Sequence, residues 1–152
     1  MRISAKADYA VRAALELASG EEGEPVKGDA IAEAQGIPLK FLENILGELK
    51  HSGLVGSRRG ASGGYWLAKA PEEISLADIV RAVEGPLATV RGQGPEVLDY
   101  KGEAAGLQKV WIALRTNIRE VMDEVTLADI CSDELPARVR ELSEPAEAWS
   151  PR

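Results

Sequence analysis

The stretch from Ile31 to Tyr65 constrains the fold most strongly, because it combines two short helical patterns with a glycine-rich, basic segment. The first helix is expected to end at Gly36, since glycine suits the left-handed residue that closes a helix. A second, longer helix is predicted from about Pro38 to His51, where leucine and isoleucine recur at helical spacing. The segment RRGASGGY that follows predicts the tip of a short hairpin. This order of elements is typical of a winged helix-turn-helix domain.

Helix pairs with this spacing also occur in all-α domains, so the two helices alone leave a generic helical bundle open. The hairpin separates the two interpretations. Leu54 and Val55 can begin a strand, and the residues from Tyr65 to Leu67 can return antiparallel to it. A purely structural hairpin would not need a tip with so many glycines and two arginines. Glycines let a backbone approach a groove closely, and an arginine can enter a narrow minor groove. The hairpin therefore favours DNA binding.

The net charge of −7 does not exclude a nucleic-acid partner, because the excess of acidic residues lies in the second part of the chain. The first 70 residues contain nine Lys or Arg and nine Asp or Glu. From Lys50 to Lys69 there are four basic side chains and no acidic one. Since phosphate contact requires only a local basic face, the acidic remainder can lie away from the DNA.

Other functional classes find less support in the composition. No run of about 18 apolar residues occurs, so no membrane span is expected. The single cysteine, Cys131, excludes an internal disulfide framework and agrees with the cytoplasm, where we expect the protein. One histidine and one cysteine provide neither a metal site nor an obvious nucleophile–base pair, so no enzyme is expected. A redox role for Cys131 and an inert thiol both stay open, because reactivity depends on exposure and pKa.

Further helices are predicted on both sides of the central stretch. The first spans Ala5 to Ser19 with Ser4 as its N-cap, and another, capped by Ser75, ends at Glu84. An apolar stripe with 4-3-4-3-4 spacing then predicts a helix of about five turns. Packing within the chain is one explanation, but we favour a helix that pairs two subunits, because palindromic DNA sites are read by two-fold symmetric proteins. The stripe consists of Leu107, Trp111, Leu114, Ile118, Val121 and Val125.

These patterns predict a mainly α fold with a small β-hairpin wing, in which a winged helix-turn-helix domain precedes a long dimerisation helix. The loop from Thr89 to Gly102 contains several glycines and little periodicity. The tail beyond Cys131 is charged and contains prolines, so we expect part of it to be flexible. The predicted boundaries are 1–86 for the DNA-binding domain, 87–104 for the loop, 105–130 for the dimerisation helix and its closing turn, and 131–152 for the tail.

Several motifs together resemble one known family. They are the N-terminal MRISAKADYAVR, the turn from Gln35 to Pro38, the helix segment FLENIL, the wing RGASGGY, the later helix IVRAVEGP and the segment TLAD that begins at Thr126. Over about residues 1–130 the chain resembles the Rrf2 family of bacterial transcription regulators. The resemblance implies a dimeric winged-helix regulator of double-stranded DNA, with its second motif helix in the major groove and its wing at the minor groove.

Matched position by position, the resemblance also implies which residues contact DNA. Glu43 and Asn44 would read base edges, and these residue types suit cytosine and adenine chemically. Arg59 would enter the minor groove, while the other wing residues, including the amides of the two adjacent glycines, and the N-terminal residues would contact the backbone. The implied DNA-binding set is Arg2, Ser4, Lys6, Tyr9, Pro38, Leu39, Lys40, Glu43, Asn44, Arg58, Arg59, Ser62, Gly63, Gly64 and Tyr65.

One departure from the family limits what the resemblance implies. Many members bind an iron–sulfur cluster through three cysteines in the loop before the long helix, but the segment from Arg91 to Leu107 contains none. We therefore predict no cluster, no other metal and no cofactor. The chain is more similar to the cysteine-poor branch of the family, which includes regulators of cysteine and sulfur metabolism and some redox-responsive repressors.

The sequence therefore predicts a homodimeric, sequence-specific transcription regulator, and in particular a repressor that binds a palindromic operator. We expect this regulator to control genes of sulfur or cysteine metabolism or genes of a redox response. The alternative is a protein-interaction module whose main partner is a metabolic enzyme rather than DNA. No membrane partner is expected.

Overall fold

The computed structural model describes residues 1–151 and shows seven α-helices and one two-stranded antiparallel hairpin in that part of the chain. The fold is mainly α with a small β-hairpin, as the sequence predicted. No helix among these residues is long and apolar enough to cross a membrane. The helices and strands are α1 (Ala5–Ser19), α2 (Gly28–Gln35), α3 (Leu39–His51), β1 (Val55–Arg58), β2 (Gly64–Leu67), α4 (Leu76–Glu84), α5 (Leu107–Met122), α6 (Leu127–Ser132) and α7 (Ala137–Ser143).

Local signals in the sequence set where the first helices begin and end. The Ser4 side chain accepts a hydrogen bond from the Ala7 amide at 3.0 Å and caps α1, as predicted. Gly36 closes α2 with φ 62° and ψ 37°, the left-handed conformation that favours glycine. The Ile37 amide then donates to the Ala32 carbonyl at 2.9 Å, so the turn is fixed before α3 begins.

The core lies where α1 packs against α3, α4 and α6. The contact face of α1 consists of buried alanines and one leucine, whose small size lets the other helices approach closely. α3 contributes four large apolar side chains, each at most 1% exposed. Burial of each such side chain contributes about 1.5–3 kcal/mol, which fixes the orientation of α3 and leaves its opposite face at the surface. The four are Leu42, Ile45, Leu46 and Leu49.

The hairpin forms a wing beside α3. β1 and β2 pair antiparallel in a register that ends with Arg58 opposite Gly64. On the other edge of β2, Tyr65 exchanges two backbone hydrogen bonds of 2.8 Å with Val26, in the loop between α1 and α2. The wing is therefore attached to the helical body at a second point, through the loop between α1 and α2 and close to the turn of the hairpin.

Gly64→Ala should lower the free energy of unfolding by about 1–3 kcal/mol, because it strains the anchor of the wing. Gly64 has a φ of 146°, and a Cβ atom there would lie 2.6 Å from the Val26 carbonyl oxygen. Urea denaturation followed by circular dichroism measures the effect. In the control Gly47→Ala, a Cβ atom meets nothing within 4 Å. That variant should be more stable by about 0.5–1 kcal/mol, and a Gly64→Ala protein as stable as the wild type would contradict the anchor.

α5 differs from the other long helices because none of its 16 residues is buried. It contacts α4, α7 and the 3-10 turn at 95–97, and its apolar stripe stays half-buried. The prediction that Val125 ends this stripe is wrong. α5 ends at Met122, and the chain then turns inward, so that Val125 is only 3% exposed and its carbonyl accepts from the Leu76 amide at 2.9 Å.

The segment after α5 forms a short helix, α6, where the sequence predicted a closing turn, and the predicted further helix at about Leu135 to Leu142 corresponds to α7. Thr126 and Asp129 form a capping box that begins α6, and Leu127 enters the core. In the tail, α7 lies against α5, and a 3-10 turn at 146–149 follows it. Arg152, the last residue of the tail that we expected to be partly flexible, lies outside the described residues.

Candidate nucleic-acid interface

The solvent-facing side of α3 carries mainly polar, charged and small residues, because four of its large apolar residues are used in the core, whereas Leu39 and Phe41 are exposed. Gly47 lies in the middle of the exposed face and has no side chain, and a Cβ atom built there would meet nothing within 4 Å. The helix surface is therefore low at this position. The residues of α3 and its N-terminus that the sequence predicted as DNA contacts are all exposed. They are Pro38, Leu39, Lys40, Glu43 and Asn44.

A cleft of about 390 Å³ lies between this face of α3 and the wing. Four basic side chains from three parts of the chain line it, whereas Glu43 is the only carboxylate among its described lining residues. Positive charge concentrated in a concave surface attracts phosphate groups. The half-buried Tyr65 also lines this cleft. The four basic residues are Lys27, Lys50, Arg58 and Arg59.

Two of these basic residues, Lys27 and Lys50, are absent from the set that the sequence predicted. Lys50 follows Glu43 and Gly47 by seven and three residues, so helical spacing could have placed it on this face. Lys27 precedes α2 and reaches the cleft only because the preceding residue, Val26, is paired with β2. No local pattern could have placed Lys27 there.

Arg58 and Arg59 have different surroundings at the tip of the wing. The Arg58 guanidinium donates to the Ser62 carbonyl at 3.0 Å and so helps to close the turn. Arg59 is exposed and makes no hydrogen bond or ion pair with another residue in 1–151. Of the two arginines, Arg59 is therefore the one whose side chain is fully available to an external partner.

The two adjacent glycines of the wing do not have the role that the sequence predicted. The Gly63 amide donates to the Gly60 carbonyl at 3.0 Å, and Gly64 is paired with Arg58 in the hairpin. Both glycines are buried. The prediction that both of these amides contact phosphate is therefore wrong for this geometry, because the Gly63 amide already has a partner inside the turn.

The predicted backbone contacts of the N-terminus lie beside the other edge of α3. The Lys6 ammonium is 2.8 Å from the Glu48 carboxylate, and the Ser4 hydroxyl hydrogen-bonds to the Glu84 carboxylate. Arg2 is exposed. Carboxylates therefore partly neutralise this edge, whereas the cleft beside the wing is strongly basic.

Tyr9, which the sequence predicted as a backbone contact, joins the motif helices together. Its ring meets Phe41 edge-on with 5.7 Å between the ring centroids, and the Arg12 guanidinium lies 4.9 Å from the centroid of the Tyr9 ring. Arg12 also donates to the Gln35 carbonyl at the end of α2, at 2.7 Å. The half-buried Tyr9 ring therefore helps to hold α1, α2 and α3 in their relative positions.

Side chains of α5 hold the loop that precedes this helix. The Gln108 amide donates to the carbonyls of Pro95, Glu96 and Leu98 at 3.1, 3.3 and 2.7 Å. Arg115 forms an ion pair with the Glu96 carboxylate. The pKa of Glu96 is lowered by a hydrogen bond from its own backbone and by the hydrogen bond from Arg115. A polar cross-link thus fixes the loop to α5.

The order of helices, the hairpin and the motifs they carry match one group of known proteins. A sequence profile described as "Rrf2: Iron-dependent Transcriptional regulator" matches residues 3–133. The chain belongs to the Rrf2 family. A Mycobacterium tuberculosis protein that carries the name of an HTH-type transcriptional regulator is 49% identical over 144 residues, which cover 95% of this chain and 89% of that protein.

Solved structures of Rrf2 regulators have the same fold. The structure of CymR, the global cysteine regulator of Bacillus subtilis, gives a TM-score of 0.74 at 35% identity and covers 88% of this chain and 98% of that chain. The structure of IscR from T. potens gives a TM-score of 0.71 at 33% identity and covers 100% of this chain and 93% of that chain. The Rrf2 resemblance read from the sequence is confirmed, and this Rrf2 protein is a helix-turn-helix transcription regulator rather than an enzyme.

The Rrf2 family description names iron, but the residues of this chain do not fit a cysteine-ligated cluster. The loop before α5 contains no cysteine, and Cys131 lies on α6. Across residues 1–151, no group of three or more His, Cys, Asp or Glu side chains is arranged to hold a metal ion. The loop is fixed instead by Gln108 and by the Arg115–Glu96 pair.

Protein purified under anaerobic conditions should be colourless and should contain no stoichiometric iron or acid-labile sulfide, because the donor set cannot hold a cluster. Visible absorption and metal analysis of the same preparation measure this. An Rrf2 protein with three cysteines in the loop, purified in parallel, is the positive control. A brown preparation of this chain would contradict the prediction.

Cys131 is exposed, but its surroundings do not favour a reactive thiolate. Desolvation raises the pKa of the Cys131 thiol, and the negative charge of Glu16 raises it further. A smaller fraction of the thiol is then ionised at neutral pH, and the thiolate is the reactive form. Of the two interpretations left open by the sequence, these surroundings favour the inert thiol.

Proposed function

We propose that this Rrf2 protein is a homodimeric repressor that binds a palindromic operator. In each half-site, α3 would enter the major groove and the wing would reach the adjacent minor groove. The observation that carries this proposal is the basic cleft between α3 and the wing. It has the charge that a phosphate backbone requires, and it borders a helix face whose polar side chains are free of the core.

In this arrangement, polar residues of α3 read base edges and the surrounding residues bind the backbone. The Asn44 amide suits adenine, and the Glu43 carboxylate suits the amino group of cytosine. Arg59 enters the minor groove, where a narrow groove concentrates negative potential. Arg58 and Ser62 contact phosphates at the wing, whereas the buried glycine amides take no part.

The dimer is proposed to form through α5. A helix of 16 residues with a continuous apolar stripe and no buried residue leaves an apolar surface that a second copy can cover. The Trp111 indole N–H is shielded from solvent but has no hydrogen-bond partner among the described residues. Two-fold symmetry would bring the same stripe of both copies together. The proposed stripe, without Val125, is Leu107, Trp111, Leu114, Ile118 and Val121.

Capture of sheared genomic DNA by the purified protein tests the proposed function directly. We expect the bound fragments to share an inverted repeat whose half-sites are about one or a few helical turns apart. Deletion of the regulator should raise transcription of the adjacent genes. Bound fragments without a shared sequence would contradict operator recognition, and a fall in transcription would contradict repression.

Genes of cysteine and sulfur metabolism are the targets that we propose. The structurally similar Bacillus subtilis protein is named as the global cysteine regulator. The raised pKa of Cys131 argues against a redox response through this thiol. Captured fragments should therefore lie beside genes of sulfur assimilation, and occupancy in cells should change between cysteine-rich and cysteine-poor media.

A metabolic enzyme is the alternative main partner, and the tail offers a surface for it. Trp149 is 78% exposed and Leu142 is 47% exposed, within the acidic part of the chain. Recovery of a stoichiometric enzyme partner from a cell extract, together with no enrichment of DNA, would favour this alternative over the repressor.

A further inference from the structure

Lys27 makes a hydrogen bond that connects the start of α2 to the tip of the wing. Its ammonium donates to the Gly60 carbonyl at 2.8 Å, across a separation of 33 residues. The Gly60 carbonyl also accepts from the Gly63 amide at 3.0 Å, and Gly60 has a φ of 102°, which favours glycine. Lys27 therefore binds the turn at the residue that directly follows Arg59.

Two successive residues of the α1–α2 loop thus hold the wing at two points, one in the turn and one on the strand that follows it. Val26 holds β2 through its paired backbone hydrogen bonds with Tyr65, which lies one residue after the Arg58–Gly64 pair at the end of the ladder. Lys27 holds the tip through the Gly60 carbonyl. Since the loop continues directly into α2, whose C-terminal turn leads into α3, these two contacts connect the wing to the helix-turn-helix.

We propose that Lys27 is a positioning residue of the DNA interface, which holds the wing tip so that Arg59 is preorganised for the minor groove. This inference rests on the proposed DNA-binding function. Preorganisation improves affinity because the complex then does not have to immobilise a mobile tip. Lys27 also adds a positive charge to the cleft, so its positioning effect must be separated from a direct attraction to phosphate.

The hydrogen bond is exposed, so its loss should not unfold the protein. The relevant variants are Lys27→Met, which keeps the aliphatic part of the side chain, and Lys27→Arg, which keeps a donor. Lys101→Met, in the exposed loop before α5, removes the same charge away from the cleft and is the matched control. Thermal unfolding of each variant shows whether the fold is intact.

A double-mutant cycle with Arg59→Ala separates the two effects. Fluorescence anisotropy measures binding of a labelled duplex recovered by genomic capture with the wild-type protein. If Lys27 acts through Arg59, Lys27→Met should weaken binding by roughly fivefold or more in the wild-type background and by less than about twofold in the Arg59→Ala background. Lys27→Arg and Lys101→Met should bind within about twofold of the wild type.

Other results would overturn the inference. An equal loss from Lys27→Met in both backgrounds would make Lys27 an independent phosphate contact, and no loss in the wild-type background would make it a surface lysine. If Arg59→Ala itself leaves binding unchanged, the proposed contact of the wing with DNA is refuted, and the positioning role of Lys27 is refuted with it. The cycle therefore distinguishes failure of this inference from failure of the proposed function.

Discussion

Leu114→Asp is expected to convert the proposed homodimer into monomers and to abolish tight operator binding. Leu114 lies in the middle of the α5 stripe, and two-fold symmetry brings both copies of the new carboxylate into the same interface. An unpaired charge in a buried apolar interface costs about 3–5 kcal/mol. A monomer can occupy only one half-site, so affinity for the full operator should fall by on the order of a hundredfold or more.

Light scattering during gel filtration measures the mass of each variant, and fluorescence anisotropy measures its affinity for the captured operator. Thr116→Asp introduces the same charge at an exposed position of α5 and should change neither mass nor affinity. Val110→Asp is a second variant, because Val110 follows Leu107 by three residues and precedes Leu114 by four and so lies beside the stripe. Its side chain is 56% exposed in the single chain, so a charge there should not unfold the protein. If Leu114→Asp and Val110→Asp both stay dimeric, α5 is not the interface.

Arg59→Ala should weaken operator binding by about 1–3 kcal/mol, which corresponds to roughly a 5- to 150-fold loss of affinity, while the protein stays dimeric. The effect is expected to be large because the Arg59 side chain is exposed and has no competing partner among residues 1–151. Arg58, in contrast, is partly used inside the wing by its hydrogen bond to Ser62. The slope of log affinity against log salt should become shallower by about one unit, since one cation leaves the interface.

Arg59→Lys separates charge from shape in this experiment. Lysine keeps the positive charge but lacks the planar guanidinium, so the salt dependence should be retained while part of the affinity is lost. Titrations of both variants at several salt concentrations measure the two effects. Unchanged affinity of Arg59→Ala for the operator would refute the assignment of the wing as a DNA contact.

The motif helices and the wing were predictable from sequence because their signals are local. Ser4 caps α1 through an amide only three residues away, and Gly36 closes α2 through its own backbone conformation. The capping box of α6, from Thr126 to Asp129, is a local signal of the same kind. Elements whose boundaries depend on neighbouring residues can be located without knowledge of the tertiary structure.

The uses of individual side chains were less predictable, because they depend on contacts between distant parts of the chain. Val125 continues the spacing of the α5 stripe, yet the chain turns after Met122 and buries it. The Gly63 amide belongs to a motif that suits phosphate binding, yet the turn of the wing already uses it. Spacing along a sequence does not show whether a group already has a partner within the chain.

The sequence by itself determined the Rrf2 family, the helix-turn-helix with its wing, and the absence of the cysteines that a cluster requires. These properties follow from residue types and from spacings within one or two turns. Only the tertiary structure decided that Lys27 and Lys50 join Arg58 and Arg59 in one basic cleft, and that Lys27 holds the tip of the wing. The reason is physical: a hydrogen bond between residues 33 positions apart depends on how the helices pack, and packing is a property of the whole chain.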